Sequence, residues 1–234
     1  MRPTRRPAWP SAWPRCPGGP RWRSTRWWRS LPDASSAPVA GSSLTAQDII
    51  RASEAGRGII KHTPTLASRA LSELVKVEVL LKAENLQHTG SFKLRGALAK
   101  LASLGQECAG VVTASAGNHG QAVAYAAAVR GLPCEVFMPE QAPIAKIEAA
   151  QARGATIHML GSSVDEGLAA ARQRATEAHF TFVHPFDDVQ VVAGQGTVGL
   201  ELLADVPDIG TVIVPVGGGG LISGVAVAVK SQRP

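Results

Sequence analysis

Glu84-Asn85-Leu86-Gln87-His88-Thr89-Gly90-Ser91-Phe92-Lys93-Leu94-Arg95-Gly96-Ala97 sets one lysine directly behind a Gly-Ser-Phe turn. The run before it, Val77 to Leu81, is β-branched and leucine-rich, so the turn falls where a strand ends and a helix begins. Taken alone, a lysine at such a place is most often a solvated surface charge. Its reading changes because two further stretches of the same kind follow it.

Ser115-Ala116-Gly117-Asn118-His119-Gly120-Gln121 follows a second apolar run, Gly110 to Thr113, and opens an alanine-rich helix pattern. Gly217-Gly218-Gly219-Gly220-Leu221 follows a third, Thr211 to Val216, and opens another helix. Each places backbone N–H groups at a strand-to-helix turn, where they can hold an anion. The glycine run is not a dinucleotide fingerprint, because the sixth position would be Ile222 or Ser223. Nor does a Gly-Lys-Ser/Thr follow, which excludes a P-loop.

A lysine amine, a polar amide and a phosphate cradle are the parts needed to hold pyridoxal phosphate. The chain resembles the fold type II pyridoxal-phosphate enzymes, and within them the serine/threonine dehydratases (threonine ammonia-lyases). The resemblance runs from about Leu44 to the C-terminus, with the three motifs in the family's order. Ser91-Phe92-Lys93-Leu94-Arg95-Gly96-Ala97 is similar to the lysine motif of dehydratases and serine racemases.

The resemblance implies an α/β fold like that of the tryptophan synthase β chain, with parallel sheets and flanking helices in two domains. Residues 44–109 and 185–234 would then form part of a large cofactor domain, and 110–184 a small βαβ domain. It implies that Lys93 holds pyridoxal 5'-phosphate as a Schiff base and, once released, takes the substrate's α-proton. Asn118 would bond the cofactor's ring oxygen, and Gly217, Gly218, Gly219, Gly220 and Leu221 would cradle its phosphate. Ser115, Gly117, Asn118 and His119 would grip the substrate carboxylate; without the motif, His119 reads equally as a solvated loop residue. Serine racemases carry a serine at the position of Ala116, so alanine there favours dehydration. The implied reaction converts L-threonine, L-serine or both to a 2-oxo acid and ammonia. Two other readings stay open: a non-catalytic remnant that binds the cofactor weakly or not at all, and a serine racemase-like enzyme.

Composition limits the partners. The net charge of +6 is concentrated in residues 1–43, where eight arginines face one acid, Asp33, and the remainder carries −1. All five tryptophans and eight of the sixteen prolines also lie in that segment. It reads as a disordered extension; an Arg/Trp contact with nucleic acid or lipid is the competing reading. The nearly neutral globular part implies neither nucleic acid nor membrane as a partner; the resemblance implies a small amino-acid substrate, and a homo-oligomer if the chain is complete. Cys16, Cys108 and Cys134 form no Cys-x-x-Cys pair, which fits a reducing, cytoplasmic compartment and no metal site. Ile209 to Val229 is uncharged over 21 residues, but Pro215 and six glycines oppose a membrane helix.

From Gly110 onward apolar runs alternate with helix patterns. Strands are expected at 110–113, 134–138, 156–160 and 180–183. The intervening helices are expected from Asn118 to Arg130, from near Pro143 toward Gly154, and from a Ser162-x-x-Asp165 cap to about Ala178. Such spacing implies right-handed βαβ crossovers and a parallel sheet. Family members continue well past Pro234, so an exposed sheet edge and apolar face are expected here.

Overall fold

Thr45 fixes the start of the first helix. Its Oγ1 accepts the Asp48 N–H at 3.3 Å while Asp48 Oδ2 accepts the Thr45 N–H at 2.8 Å, a reciprocal capping box that launches α1 (Ala46–Ala55). The structure, a computed structural model, describes residues 43–115 and 117–233; the expected extension at 1–43 and Ala116 lie outside the described residues, apart from Ser43.

Thr65–Ala67 (β1) and Leu80–Lys82 (β2) pair antiparallel, with Leu66 opposite Leu81. Between them a short helix, α2 (Arg69–Val75), is capped by Ser68 and buries no residue. A single 3-10 turn, Glu84–Leu86, leads to α3 (Lys93–Ala102).

The regular alternation follows: β3 (Val111–Ala114), α4 (Asn118–Arg130), β4 (Cys134–Met138), α5 (Ile144–Gln151), β5 (Thr156–Met159), α6 (Val164–Ala178) and β6 (Thr181–Phe182). These four strands form one parallel sheet in the order β5-β4-β3-β6. Every residue of β3 and β4 is buried, so both read as mainly apolar runs and not as alternating ones, with Glu135 of β4 paired to Arg174. Val111, Val136 and Met138 pack against Ala122, Val123 and Ala126 of α4 on one face. Val112, Ala114 and Phe137 pack against Ala171 of α6 on the other.

Two long helices complete the unit, α7 (Val189–Asp205), capped by Asp188, and α8 (Gly220–Gln232). They lie unusually close: a Cβ on Gly196 would come within 2.9 Å of the Gly224 carbonyl oxygen. On its other side α7 presses Gly194 against the backbone of Arg95 and Gly96, tying α3 to the same layer.

Three expectations need correction. The run Thr211 to Val216 is extended but pairs with no strand among the described residues, and Ile213 is 92% exposed. Its alternating exposure survives, but a strand requires a ladder partner and its pattern alone does not supply one. The sheet containing β2 is antiparallel, because β1 and β2 are joined by one short helix instead of a crossover. The cap of α6 is Ser163, not Ser162: its Oγ accepts the Glu166 N–H, one residue later than the Ser162-x-x-Asp165 register. Among the described residues no helix is long and apolar enough to cross a membrane.

Candidate active site

Lys93 is the first residue of α3, immediately after Phe92. That position aims its side chain back over the preceding turn, toward the segment that follows β6. Its Nζ donates to the Pro185 carbonyl at 2.7 Å and lies 5.4 Å from the centre of the Phe92 ring. Burial lowers the amine's proton affinity below that of an ordinary lysine. A larger fraction of Lys93 is therefore neutral, the form that attacks a carbonyl carbon.

The glycine turn faces this amine across a cleft of about 320 Å³, lined by Phe92, Lys93, Pro185, Phe186, Gln195 and the stretch from Pro215 to Leu221. Such a volume is at the small end of the range for cofactor-sized ligands. Gly219 has φ +85°, a left-handed conformation that favours glycine, and it turns the chain into α8 at Gly220. Phe186 packs against this turn, and a Cβ on Gly218 would overlap its ring. A larger hollow, about 610 Å³ beside Tyr125, Val129 and Arg153, contains neither Lys93 nor the glycine turn.

The turn after β3 is placed differently. Ser115 Oγ accepts the Gly117 N–H at 3.1 Å, so the serine shapes the entry to α4. Asn118 Oδ1 accepts from Lys146 Nζ of α5 at 2.9 Å, and the asparagine does not line the Lys93 cleft. His119 is buried, contrary to its alternative reading as a solvated loop residue. Its Nε2 lies 3.2 Å from the Val183 carbonyl, which also accepts from Thr113 Oγ1 at 2.7 Å. A carbonyl only accepts, so Nε2 carries the hydrogen and Nδ1 is bare. Burial, with a smaller contribution from the Lys93 charge, pushes the imidazole down to about 3. His119 is thus neutral and within the electrostatic reach of Lys93.

The structure therefore brings Lys93 and Gly217 to Leu221 together in one cleft. It does not bring Ser115, Gly117 or Asn118 into that lining.

Behind Lys93, α3 is anchored by a buried ionic network. Arg95, 2% exposed, donates through Nε and Nη2 to Glu84 at 2.8 and 2.7 Å. It also donates through Nη1 and Nη2 to Glu201 at 2.6 and 3.0 Å. Lys82 adds contacts to Glu201 at 2.7 Å and Asp205 at 2.9 Å. Burial would raise the Glu201 carboxyl, but the hydrogen bonds from Arg95 and Lys82 outweigh it and hold the group below its usual range. The planar guanidinium pairs two carboxylates at once and so fixes the helix that carries the lysine. Sequence reasoning missed this network, and it missed Gln195; the only signal for Gln195 is its place between the tightly packed Gly194 and Gly196.

The chain matches the pyridoxal-phosphate dependent enzymes over residues 57–234. This chain belongs to that family. An L-threonine ammonia-lyase from Thermotoga maritima is 48% identical over 193 residues, which is 82% of this chain and 48% of that protein. Among solved structures, serine racemase from Dictyostelium discoideum superposes with a TM-score of 0.78 at 42% identity, covering 82% of this chain and 64% of that one. A T.th. threonine deaminase does so with a TM-score of 0.74 at 44% identity, covering 81% and 62%. The chain spans about half the length of the curated relatives it matches. The family's cofactor fits the cleft on its chemistry: a half-buried amine of lowered proton affinity for the aldehyde, and a glycine turn at a helix N-terminus for the phosphate.

Proposed function

We propose that this chain carries the site of an ammonia-lyase that converts L-threonine, L-serine or both to a 2-oxo acid and ammonia. The observation that carries the proposal is the shared cleft of Lys93 and Gly217 to Leu221. The threonine ammonia-lyase and threonine deaminase among its relatives support the substrate class.

When bound, pyridoxal phosphate supplies the electron sink that makes an amino acid's α-proton removable. Lys93 Nζ would hold the cofactor covalently, and the N–H groups of Gly220 and Leu221 would bind its phosphate at the positive end of α8. In its neutral form Lys93 Nζ would also be the base that takes the α-proton. Backbone and side-chain donors of Ser115, Gly117, Asn118 and His119 would bind the substrate carboxylate, for which the turn after β3 must come to the cleft it does not line here. Asn118 would orient the cofactor ring, for which it must leave Lys146. Pro185 and Phe186 cover the cleft beside Lys93 and limit its access to water.

The same proposal assigns 110–184 to a small domain and 44–109 with 185–234 to a large one, and places the protein in the cytoplasm as a homo-oligomer. Exposed apolar side chains, Ile213 at 92% and Leu74 at 76%, support a further covering surface. The test is to supply pyridoxal phosphate with L-threonine or L-serine and measure both 2-oxo acid release and the chirality of remaining substrate. Oxo acid without D-amino acid supports the lyase; D-serine as the main product would replace it with a racemase.

A further inference from the structure

Gln195 sits in α7 with 1% exposure and lines the Lys93 cleft. Its Oε1 accepts the Gly96 N–H of α3 at 3.2 Å. That contact sets the orientation of the amide, since the flipped form would bring two donors together. The remaining group, Nε2, is fully buried and has no hydrogen-bond partner among the described residues. Leaving a buried donor unsatisfied is costly, so its persistence in a well-packed helix needs a cause.

The surroundings indicate what kind of group it faces. The N-termini of α3, at Lys93, and of α8, at Gly220, both open onto this cleft, and each presents the positive end of a helix. α7 holds Gln195 between them, because Gly194 lies on α3 and Gly196 on Gly224 of α8. A donor-only group between two positive helix ends matches an anion better than a neutral or cationic ligand.

We infer that Gln195 Nε2 is a ligand-holding donor to the phosphate of the cofactor, in addition to the glycine turn. The inference rests on the cofactor reading above. Gln195 thus has two roles on one amide: the oxygen fixes the start of the lysine helix, and the nitrogen fixes the anion. The amine and phosphate halves of the site are thereby coupled through one side chain.

The test uses the 234-residue chain, with Gln195→Glu, Gln195→Met and Lys93→Ala variants. Gln195→Glu retains an acceptor for the Gly96 N–H and loses the donor; Gln195→Met loses both. Binding of pyridoxal phosphate and of pyridoxal, which lacks the phosphate, is followed by the visible band that Lys93→Ala abolishes. Affinity for pyridoxal phosphate is expected to fall about tenfold or more in both glutamine variants, the size of a lost hydrogen bond to a charged group, while that for pyridoxal changes less than about twofold in Gln195→Glu, which keeps the Gly96 contact. A change under about twofold for pyridoxal phosphate in either variant, or an equal fall for both ligands in Gln195→Glu, overturns the inference.

A measurement on the unmodified chain guards against variants that fail to fold. The side-chain NH2 signals of Gln195 should move further on addition of pyridoxal phosphate than of pyridoxal; no movement with pyridoxal phosphate, or equal movement with both, overturns the inference. A Lys93-dependent band with unaffected glutamine variants would sink only the role of Gln195. No band in the folded unmodified chain would sink the cofactor reading with it.

Discussion

Lys93 Nζ lies 2.7 Å from the Pro185 carbonyl oxygen, joining residues 92 positions apart at the mouth of one cleft. The amine is held by a neutral acceptor and not by a carboxylate, so nothing offsets the burial that favours its uncharged form. The rate of covalent attachment of pyridoxal phosphate should therefore rise with pH and level off below 10.5, the ordinary lysine value. Stopped-flow absorbance across a pH series checks this. An inflection at or above the ordinary value would contradict it.

Arg95 anchors the lysine helix through two carboxylates, and removing it leaves the part-buried Glu84 with no cation, held by the Thr63 hydroxyl alone among the described residues. Arg95→Met should cost about 3–5 kcal/mol of stability, as expected when one partner of a buried ion pair is lost. Arg95→Lys should recover only part, because an ammonium cannot make the paired contacts to both glutamates. Denaturant unfolding of the three proteins is the measurement, and equal stability of Arg95→Met and the unmodified chain would remove the network from the account.

Close packing of α7 on α8 depends on glycine. A Cβ at Gly224 would overlap the Val192 carbonyl and the Gly196 backbone. Gly224→Ala should destabilise the fold by about 1–3 kcal/mol, the usual cost of overpacking. It should also weaken cofactor binding, since α8 begins at the glycine turn. Thermal unfolding and cofactor titration read the two effects separately.

His119 gives an acid dependence whose sign follows from burial. The folded imidazole is held at about 3, against 6.5 for an ordinary histidine. Between those values the unfolded chain binds the proton and the folded chain does not, so stability is lost as pH falls from 6.5 toward 3. By pH 5 the loss is about 2 kcal/mol. Comparing unfolding of the unmodified chain and His119→Gln at pH 7 and pH 5 should show the gap between them narrowing by that amount; a constant gap would mean that His119 does not titrate differently on folding.

Much of the scaffold was legible because its signals are local. The capping box at Thr45 and Asp48, the helix from Asn118 to Arg130 closed by Gly131, and the apolar strand Cys134 to Met138 each follow from short-range rules. What escaped depends on partners distant in sequence. The extended run at 211–216 reads as a strand, but strand formation is decided by a neighbour that no local pattern names. α2 escaped because seven residues with no buried side chain leave no periodic stripe to detect. Lys93 and the glycine turn were legible as motifs. Gln195 was not, since its importance lies in a contact with Gly96 across 99 positions. Asn118 was legible as a motif residue, yet its contact with Lys146 could be learned only from the fold.

The most direct test is the visible absorption spectrum of the 234-residue chain with pyridoxal phosphate, recorded beside its Lys93→Ala variant. The account predicts a protein-bound Schiff-base band in the unmodified chain alone, which shifts when L-threonine or L-serine is added. A folded chain with no such band, or one equally strong in Lys93→Ala, would contradict the assignment of Lys93 as the cofactor-holding residue.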